Sequence, residues 1–289
     1  MPVINYDPWY VQYHTVRAKR NWRSWPVIRY LRAIGFRRAA PFGEGRQGPI
    51  SVIRYYWAEF LEYYRKDFCG RALEIGDTNT IRYYGGNQLI HAEALDLSPH
   101  NVEVKVVADL TRADEVAGDQ YDCFLVQFST NVLYDIESAL YHAVRLLKPG
   151  GVLLTNFWTT DFYFHNGLDM GTGGPIYMHH WFTPIEVANL LHGLALTPTD
   201  YELRNYGNLL TKIAFLLNVP AREFTTQELD YVDPSQPLLV CVRVVKPIGW
   251  QAPKPRYHEP LWLPTGKPQQ LHPETGHFGN TYLPKKADK

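Results

Sequence analysis

The chain has 289 residues, of which 45% are hydrophobic, and its 29 basic and 29 acidic side chains leave no formal net charge. This length favours one sizeable core with a small appendage over two equal domains, and the neutral charge argues against a polyanionic partner such as DNA, RNA or an anionic membrane. The three cysteines, Cys69, Cys123 and Cys241, lack zinc-binding spacing, and no stretch resembles a secretion signal or a membrane span, so we expect a soluble, cytoplasmic protein with reduced thiols.

Residues 1–48 differ in composition from the rest of the chain. Positions 8–43 hold no acidic residue but eight basic ones, interleaved with tryptophan and tyrosine. A helix is predicted for "SWPVIRYLRAIG", because Ser24 can cap it, Pro26 suits its first turn and Gly35 ends it. We interpret this segment as a lid or docking arm for an anionic or carbohydrate-like acceptor. The alternatives are a solvated basic face whose tryptophans pack on the body, or a site for single-stranded nucleic acid.

The body of the chain alternates predicted helices and strands. A helix from about Ser51 to Lys66 precedes five strand-like segments, "RALEIG", "LIHAEALDL", "VKVVADL", "YDCFLVQFS" and "GGVLLTNF". The clearest helix, "DIESALYHAVRLLKPGG", lies between the fourth and fifth of these, with Asp135 as its cap. This spacing predicts an α/β fold with a doubly wound, Rossmann-like, mostly parallel sheet of seven strands and an antiparallel edge strand.

The pattern changes after residue 157. A long polar and aromatic insertion precedes "TPIEVANLLHGL", where Thr183 and Glu186 predict a capping box. Two later segments, "DYELRNY" and "PLLVCVRVV", are predicted to form an antiparallel hairpin at the sheet edge. Residues 248–289 are rich in proline, lack periodicity and are predicted to wrap the surface or to be disordered. The predicted division is therefore an arm at 1–48, a body at 49–247 and a tail at 248–289.

Acidic residues stand at the ends of three successive predicted strands. Glu74 precedes Gly76 at the end of the first strand, Asp96 ends the second and Asp109 ends the third. The carboxyl ends of parallel strands share one edge of a sheet, so these acids should line one crevice. Asp96 could accept hydrogen bonds from both hydroxyls of a ribose, and Asp109 could face an adenine amino group. Glu93 is a competing acid within the second strand, but "LDLSP" favours Asp96.

These segments together resemble the ordered motifs of class I S-adenosylmethionine-dependent methyltransferases over about residues 68–158. The resemblance is carried by Glu74-x-Gly76, Asp96, Asp109, "YDCFLVQ" and "LLKPGGVLL". A narrower resemblance, over about residues 41–247, is to a bacterial methyltransferase-domain group often found alongside glycosyltransferases. It is carried by "PFGEGRQGPI", "RYYWAEFL", "WFTP", "YGNLLTKIAFL", "ELDYVDP" and "PLLVCVRVVKP".

The resemblance implies that the body is a methyltransferase domain with S-adenosylmethionine as its cofactor. It places Glu74 and Gly76 near the methionine moiety, Asp96 near the ribose, and Asp109 with Leu110 around the adenine. Gln127 would line the mouth where the methyl group points, while Arg54 and Tyr55 either reach the cofactor carboxylate or pack on the sheet. The complete predicted cofactor set is Arg54, Tyr55, Glu74, Gly76, Asp77, Thr78, Asp96, Leu97, Asp109, Leu110 and Gln127.

The sequence departs from the broad family at Thr78, where a second glycine is common. A Cβ at this position limits how closely the backbone can approach a ligand. The departure also disfavours a nicotinamide cofactor, because the pyrophosphate cradle of G-x-G-x-x-G is absent. A methyl donor without phosphates needs no such cradle, so we interpret the loop as a variant of the family's loop.

The insertion after the fifth strand holds the candidate catalytic residues, since this fold builds its acceptor pocket there. His165, His179 and His180 are candidate general bases for a hydroxyl acceptor, with Asp161 nearby; the alternative is that "HHW" is structural. No metal site is predicted, because adjacent histidines in an extended segment point to opposite faces. The sequence thus predicts methyl transfer to a small-molecule or glycan acceptor at oxygen. The alternatives are a peptide or RNA acceptor docked by the arm, or a non-catalytic, regulatory cofactor-binding protein.

Overall fold

The computed structural model describes residues 50–160 and 178–258, the single positions Tyr10, Gln12 and Val27, and the backbone of two short strands between 168 and 176. The predicted helix at 24–35, and the candidates Asp161 and His165, lie outside the described residues apart from Val27. The division into arm, body and tail stays a prediction.

A seven-stranded sheet forms the centre of the fold. The strands are β1 (Gly70–Ile75), β2 (Leu89–Asp96), β3 (Val104–Val107), β4 (Tyr121–Val126), β5 (Leu147–Trp158), β8 (Tyr201–Tyr206) and β9 (Leu239–Val245), while β6 (Leu168–Asp169) and β7 (Pro175–Ile176) form a separate pair. The order across the sheet is β3-β2-β1-β4-β5-β9-β8. The first five strands are parallel to one another. The predicted Rossmann-like fold is therefore confirmed.

The predicted hairpin closes one side of the sheet. Strand β9 runs antiparallel to β5 and to β8, so the antiparallel strand is second from the edge and β8 is the edge strand. Residues Leu239–Val245 are almost entirely buried, as expected for a strand with a neighbour on both sides.

Helices cover both faces of the sheet. They are α1 (Val52–Tyr63), α2 (Asn79–Gly85), α3 (Ile136–Leu146), α4 (Pro184–Gly193), α5 (Leu209–Leu216) and α6 (Thr226–Asp230). Helix α1, with α2, α5 and α6, packs on one face against a cluster that includes Ala72, Leu125 and Leu154. Helices α3 and α4 pack on the other face, against Leu73, Phe124 and Leu153. Side chains of alternate strand residues thus pack into two separate hydrophobic cores, one on each face of the sheet.

Two predicted helix starts are confirmed by their capping bonds. The Asp135 carboxylate accepts a hydrogen bond from the Ser138 backbone N–H at the start of α3, and Thr183 and Glu186 form the reciprocal capping box of α4. Two element ends differ from prediction. Helix α1 gives way to a short 3-10 turn at Arg65–Asp67, and β5 begins at Leu147, because Pro149 disfavours a helical conformation at the residue before it.

Candidate functional site

The candidate site lies at the carboxyl edge of the sheet, between β1 and β4. The chain winds outward from β1 to β2 and β3 on one side, and from β4 to β5 on the other, so the strand order reverses at this point. Ligands of open α/β sheets bind in the crevice that such a reversal leaves. The loop after β1, with Gly76, Asp77 and Thr78, lies at this crevice and leads directly into α2.

Glu74 is the centre of a buried hydrogen-bond network beneath that loop. Its side chain is fully buried, and one carboxylate oxygen, Oε2, accepts hydrogen bonds from the backbone N–H groups of Thr80 and Ile81 at 3.1 and 3.0 Å. The other oxygen, Oε1, lies 2.6 Å from Nε2 of Gln127. The predicted cofactor residues Glu74 and Gln127 are therefore brought together, and both carboxylate oxygens hold the start of α2 and the end of β4 in place.

Trp57 of α1 completes this network. Its indole Nε1 donates to Oε1 of Gln127 at 2.9 Å, which leaves the amide Nε2 to face Glu74 and the Thr80 hydroxyl, 2.8 Å away. The sequence predicted Trp57 only as part of the apolar face of its helix. Its indole N–H gives it a second role that the hydrophobic pattern does not reveal.

The buried position of Glu74 changes its acidity. Removal of the carboxyl group from water raises the pKa of Glu74 to about 8, against the opposing effect of the hydrogen bonds from Thr80 and Ile81. Because a cationic group near the carboxylate would favour its ionised form, Glu74 can respond to a positively charged ligand.

Gly76 and Asp96 lie side by side at the ends of β1 and β2. Gly76 has a φ of +87°, and a Cβ at this position would lie 3.9 Å from Oδ2 of Asp96. Asp96 accepts a hydrogen bond from the Ser98 backbone N–H and lies 3.7 Å from Nδ1 of His100. By contrast, Glu93 pairs with Arg71 at 3.0 Å from within the strand, so its carboxylate is engaged away from the carboxyl edge. Of these two acids, Asp96 is the one that lies beside Gly76, and its contact with the ribose stays a prediction.

Thr78 fits the loop without the missing glycine. Its φ is −122°, an ordinary value for a residue with a Cβ. The side chain is fully buried, and its hydroxyl accepts a hydrogen bond from Nε of Arg82 at 2.8 Å. Asp77 accepts from the Asn79 backbone N–H at 2.8 Å, and Leu97 is 54% exposed beyond Asp96. Only Gly76 of this loop therefore needs the left-handed conformation.

The wall beyond β3 is built around Asp109. Its Oδ1 accepts hydrogen bonds from both the backbone N–H and the hydroxyl of Thr111, each at 2.8 Å, at the start of a 3-10 segment that begins with the buried Leu110. The same Thr111 hydroxyl lies 3.0 Å from the hydroxyl of Tyr134. The predicted adenine residues thus lie beside Tyr134 from the β4–α3 loop, a residue that no sequence pattern marks as part of the site.

The "HHW" segment is fixed against the β4–α3 loop by Asn131. The Asn131 backbone carbonyl accepts from the backbone N–H of His179 at 2.6 Å, while its buried side-chain Nδ2 donates to the carbonyl of His180 at 2.6 Å. Its Oδ1 accepts from the Trp158 backbone N–H at 3.1 Å. Asn131 therefore joins the end of β5 to the segment that carries two of the candidate bases.

The two described histidines have different surroundings. The ring of His180 has Nε2 3.2 Å from the carbonyl oxygen of Tyr134 and packs near Phe182, which suits a structural role. The ring of His179 lies 6.3 Å from that of Tyr134. Burial, together with the neighbouring His180, lowers the pKa of His179 to about 4, so its imidazole is neutral at pH 7.

Arg54 and Tyr55 point to different parts of the molecule. Arg54 is exposed in the first turn of α1, and Trp57, one turn further on, contacts Gln127 at the crevice. Tyr55 is fully buried, and its hydroxyl lies 3.4 Å from Asp230 of α6. Tyr55 therefore packs between α1 and α6, whereas the role of Arg54 at the cofactor carboxylate stays a prediction.

One described residue of the predicted arm reaches the same region. The ring of Tyr10 lies 4.5 Å from that of Tyr83 on α2. Burial, with the nearby carboxylates of Asp77 and Glu74, raises the pKa of Tyr10. Tyr10 therefore lies close to the loop that follows β1.

Within the described part of the chain, no group of three or more His, Cys, Asp or Glu side chains is arranged to hold a metal ion. The helices of those same residues include none with the length and apolarity to cross a membrane.

Comparison with known proteins finds similar structures but no matching sequence family. No family model matches the chain, and no curated protein matches it. Among solved structures, an S-adenosylmethionine-dependent methyltransferase from Mesorhizobium loti is 14% identical, with 68% of this chain and 100% of that chain covered at a TM-score of 0.46. A SAM-dependent methyltransferase from Archaeoglobus fulgidus is 12% identical, covering 65% and 92% at a TM-score of 0.42. A protein from Bacillus halodurans described as a methyltransferase is 11% identical, covering 62% and 93% at a TM-score of 0.39.

Proposed function

We propose that this protein is a methyltransferase that uses S-adenosylmethionine and transfers the methyl group to an oxygen of a small-molecule or glycan acceptor. The observation that carries the proposal is the row of groups along the carboxyl edge. Asp109 follows β3, Asp96 ends β2, Gly76 follows β1 and Gln127 follows β4, in the order in which these strands adjoin. Taken in this order, these residues could contact the adenine, the ribose, the methionine and the methyl group of the donor.

The residues of the crevice fit this donor without a phosphate cradle. The absent Cβ at Gly76 leaves room for a ligand beside the Asp96 carboxylate, which can accept hydrogen bonds from ribose hydroxyls. Asp109 uses Oδ1 for Thr111, so its second oxygen remains to accept from an adenine amino group. The Arg54 guanidinium is the candidate partner of the donor carboxylate, and a cationic group near the start of α2 would favour the ionised form of Glu74.

The proposed chemistry is direct displacement between reactants that the protein aligns: the acceptor oxygen forms a bond to the methyl carbon as the carbon–sulfur bond breaks, and the hydroxyl proton is lost to solvent. S-Adenosylmethionine, when bound, supplies an electrophilic methyl group on a sulfonium sulfur. We propose that the acceptor binds beside His179, whose pKa of about 4 leaves a neutral ring that can accept a hydrogen bond at pH 7. We assign it the role of orienting an acceptor hydroxyl, since so weak a base holds a full proton poorly. Asn131 fixes the backbone on which this imidazole stands.

The donor assignment is tested by calorimetry with S-adenosylhomocysteine. We expect the wild type to bind, and Asp96→Ala to weaken binding about 10- to 100-fold, because a hydrogen bond to a charged group contributes about 1.5–3 kcal/mol. Asp200→Ala is the matched control. Asp200 also accepts from a backbone N–H, that of Thr197 at 2.7 Å, but it precedes β8 at the opposite edge of the sheet. Equal affinities of wild type and Asp96→Ala would remove Asp96 from this role, and no binding by the wild type would contradict the donor.

A further inference from the structure

The segment that follows β9, residues 247–258, crosses the outer face of α3 and α4; we call it the strap. Its first anchor is Trp250, whose indole Nε1 donates to the carbonyl of Leu194 at 2.9 Å. The Trp250 ring also lies 5.6 Å from the ring of Tyr141 on α3. This anchor lies at the end of α4.

The second anchor is Tyr257, at the other end of the strap. Its hydroxyl lies 3.0 Å from Nε2 of His142 and donates to the carboxylate of Asp114. Nε of Arg145 donates to Nδ1 of His142 at 3.2 Å, which leaves Nε2 as the protonated nitrogen. Burial and the positive charge of Arg145 lower the pKa of His142 to about 4, so the ring is neutral and donates to Tyr257.

Arg112 joins the end of the strap to the wall of the crevice. Its Nη1 donates to the carbonyl of Thr111 at 2.7 Å and to Oδ2 of Asp135 at 2.8 Å, and its Nη2 donates to the carbonyl of His258 at 2.6 Å. The backbone N–H of His258 in turn donates to Oδ2 of Asp135 at 2.9 Å. The guanidinium also lies over the Tyr257 ring, 4.3 Å from its centroid.

The last residue in this series of contacts is Thr111, which hydrogen-bonds to Asp109. Thr111, whose carbonyl Arg112 binds, donates both its backbone N–H and its hydroxyl to Asp109. The Asp135 carboxylate, which Arg112 and the strap share, is fully buried and caps α3 directly after Tyr134. Trp250 and Tyr257 would suffice to hold a strap that only covered α3. The hydrogen bonds of Arg112 to both His258 and Thr111 additionally connect the strap to the residues around Asp109.

We propose that Arg112 is a positioning residue, through which the docked strap holds Thr111 and Asp109 in the geometry that recognises the adenine of the donor. The proposal rests on the proposed function for the identity of the ligand. It assigns the strap a part in ligand specificity, although no strap residue needs to touch the ligand. Arg112 acts here because a planar guanidinium can serve three acceptors at once, which a lysine cannot.

The test compares S-adenosylhomocysteine with S-inosylhomocysteine, in which an oxygen replaces the adenine amino group. The wild type should prefer the adenine ligand, since Asp109 accepts from the amino group but repels the oxygen. In Arg112→Ala this preference should fall by about tenfold, equivalent to the loss of one net hydrogen bond. Arg112→Lys should fall between the two. A variant that is merely less stable would lose affinity for both ligands equally.

Arg243→Ala is the matched control. Arg243 forms an ion pair with Asp67 at 2.6 Å, and its side chain is 22% exposed, as is that of Arg112. Its partner Asp67 precedes β1, at the amino edge of the sheet. We expect Arg243→Ala to keep the wild-type preference between the two ligands.

Amide hydrogen exchange of residues 109–116 gives a second measurement that needs no ligand. Exchange there should be faster in Arg112→Ala than in wild type or Arg243→Ala, and faster exchange supports the proposal.

If the wild type binds neither ligand, the donor assignment fails and this measurement alone decides the role of Arg112. Tyr257→Phe, which keeps the ring under Arg112 but removes the hydroxyl, replaces Arg112→Ala if that variant does not fold. An unchanged preference with unchanged exchange, or a wild type that binds both ligands equally, would overturn the proposal.

Discussion

At the scale of single residues, the protonation of Glu74 makes the stability of the folded chain depend on pH. A buried carboxyl group whose pKa is raised to about 8 keeps its proton in the folded chain at pH values where the unfolded chain, with its ordinary pKa of 4.5, has lost it. The folded state then binds more protons than the unfolded state between these two values. Stability must therefore fall as pH rises through this window.

We predict that this pH dependence is reduced in Glu74→Gln. One proton bound only by the folded state gives a slope of at most about −1.4 kcal/mol per pH unit in the free energy of unfolding. Urea unfolding at several pH values between 5 and 8 measures the slope for both proteins. The glutamine also faces the Gln127 amide, so the variant is expected to lose absolute stability, and only the difference in slope is diagnostic. Equal slopes would show that Glu74 is ionised throughout.

Some residues of the candidate site can be predicted from the sequence, and others cannot. Acids at strand ends can be selected from sequence because parallel strands share an edge, and the sequence therefore predicts Glu74, Asp96 and Asp109 in one crevice. Their role as ligands of the donor stays a prediction. Trp57, Tyr134 and Asn131 could not be selected, because their contributions come from contacts between residues that are 70, 23 and 49 positions apart. Nothing in a local pattern marks such pairs.

At the scale of elements, one buried asparagine, Asn131, anchors the segment that carries the candidate bases His179 and His180. Asn131→Asp replaces the Nδ2 donor with an oxygen that would face the carbonyls of His180 and Trp158, at 2.6 and 3.3 Å. We expect the free energy of unfolding to fall by about 1–3 kcal/mol, the cost of an unsatisfied buried polar group. Hydrogen exchange should become faster at residues 178–182, while affinity for S-adenosylhomocysteine should remain close to that of the wild type.

Asn208 offers a control with the same local geometry. Its Nδ2 donates to the carbonyls of Glu228 and Tyr231 at 2.8 and 2.7 Å, next to α5 and α6. Asn208→Asp should cost similar stability but speed exchange at residues 226–233 and not at 178–182. If Asn131→Asp left exchange at 178–182 unchanged, Asn131 would not be the anchor of the "HHW" segment.

Most elements of the main sheet could be predicted from sequence because their signals are local. Buried runs such as "YDCFLVQFS" are apolar on both faces, and α3 and α4 begin at residues that cap helices. The position of β9 inside the sheet could not be read from its sequence. A strand of this composition fits an edge hairpin or a central position equally well, and only pairing with β5 and β8 distinguishes them.

At the scale of the whole molecule, charge bears on the class of acceptor. A chain with 29 basic and 29 acidic residues has no net field to concentrate a polyanion at its surface. We therefore predict that donor-dependent products appear in the small-molecule or glycan fraction of a cell extract. Mass spectrometry should detect the replacement of one hydrogen by a methyl group, and Asp96→Ala should form much less of the product.

The same experiment separates the alternative functions. Methylation confined to the RNA or peptide fraction would contradict the small acceptor and support docking of a macromolecule, to which the basic composition of residues 8–43 would contribute. Donor binding without any product in these fractions would instead support a non-catalytic binding protein.

The place of β9 also bears on how the chain is assembled during synthesis. Strand β5 ends at Trp158, but its second neighbour is not complete until Val245, and β8 reaches the sheet only through that neighbour. Until then β5 presents a long apolar strand with one row of backbone groups unpaired, a surface prone to incorrect association. Among the strands of the seven-stranded sheet, the last to leave the ribosome is thus the one that closes this edge. Translation pauses or truncations before residue 245 should therefore be more harmful than the short length of chain they affect would suggest.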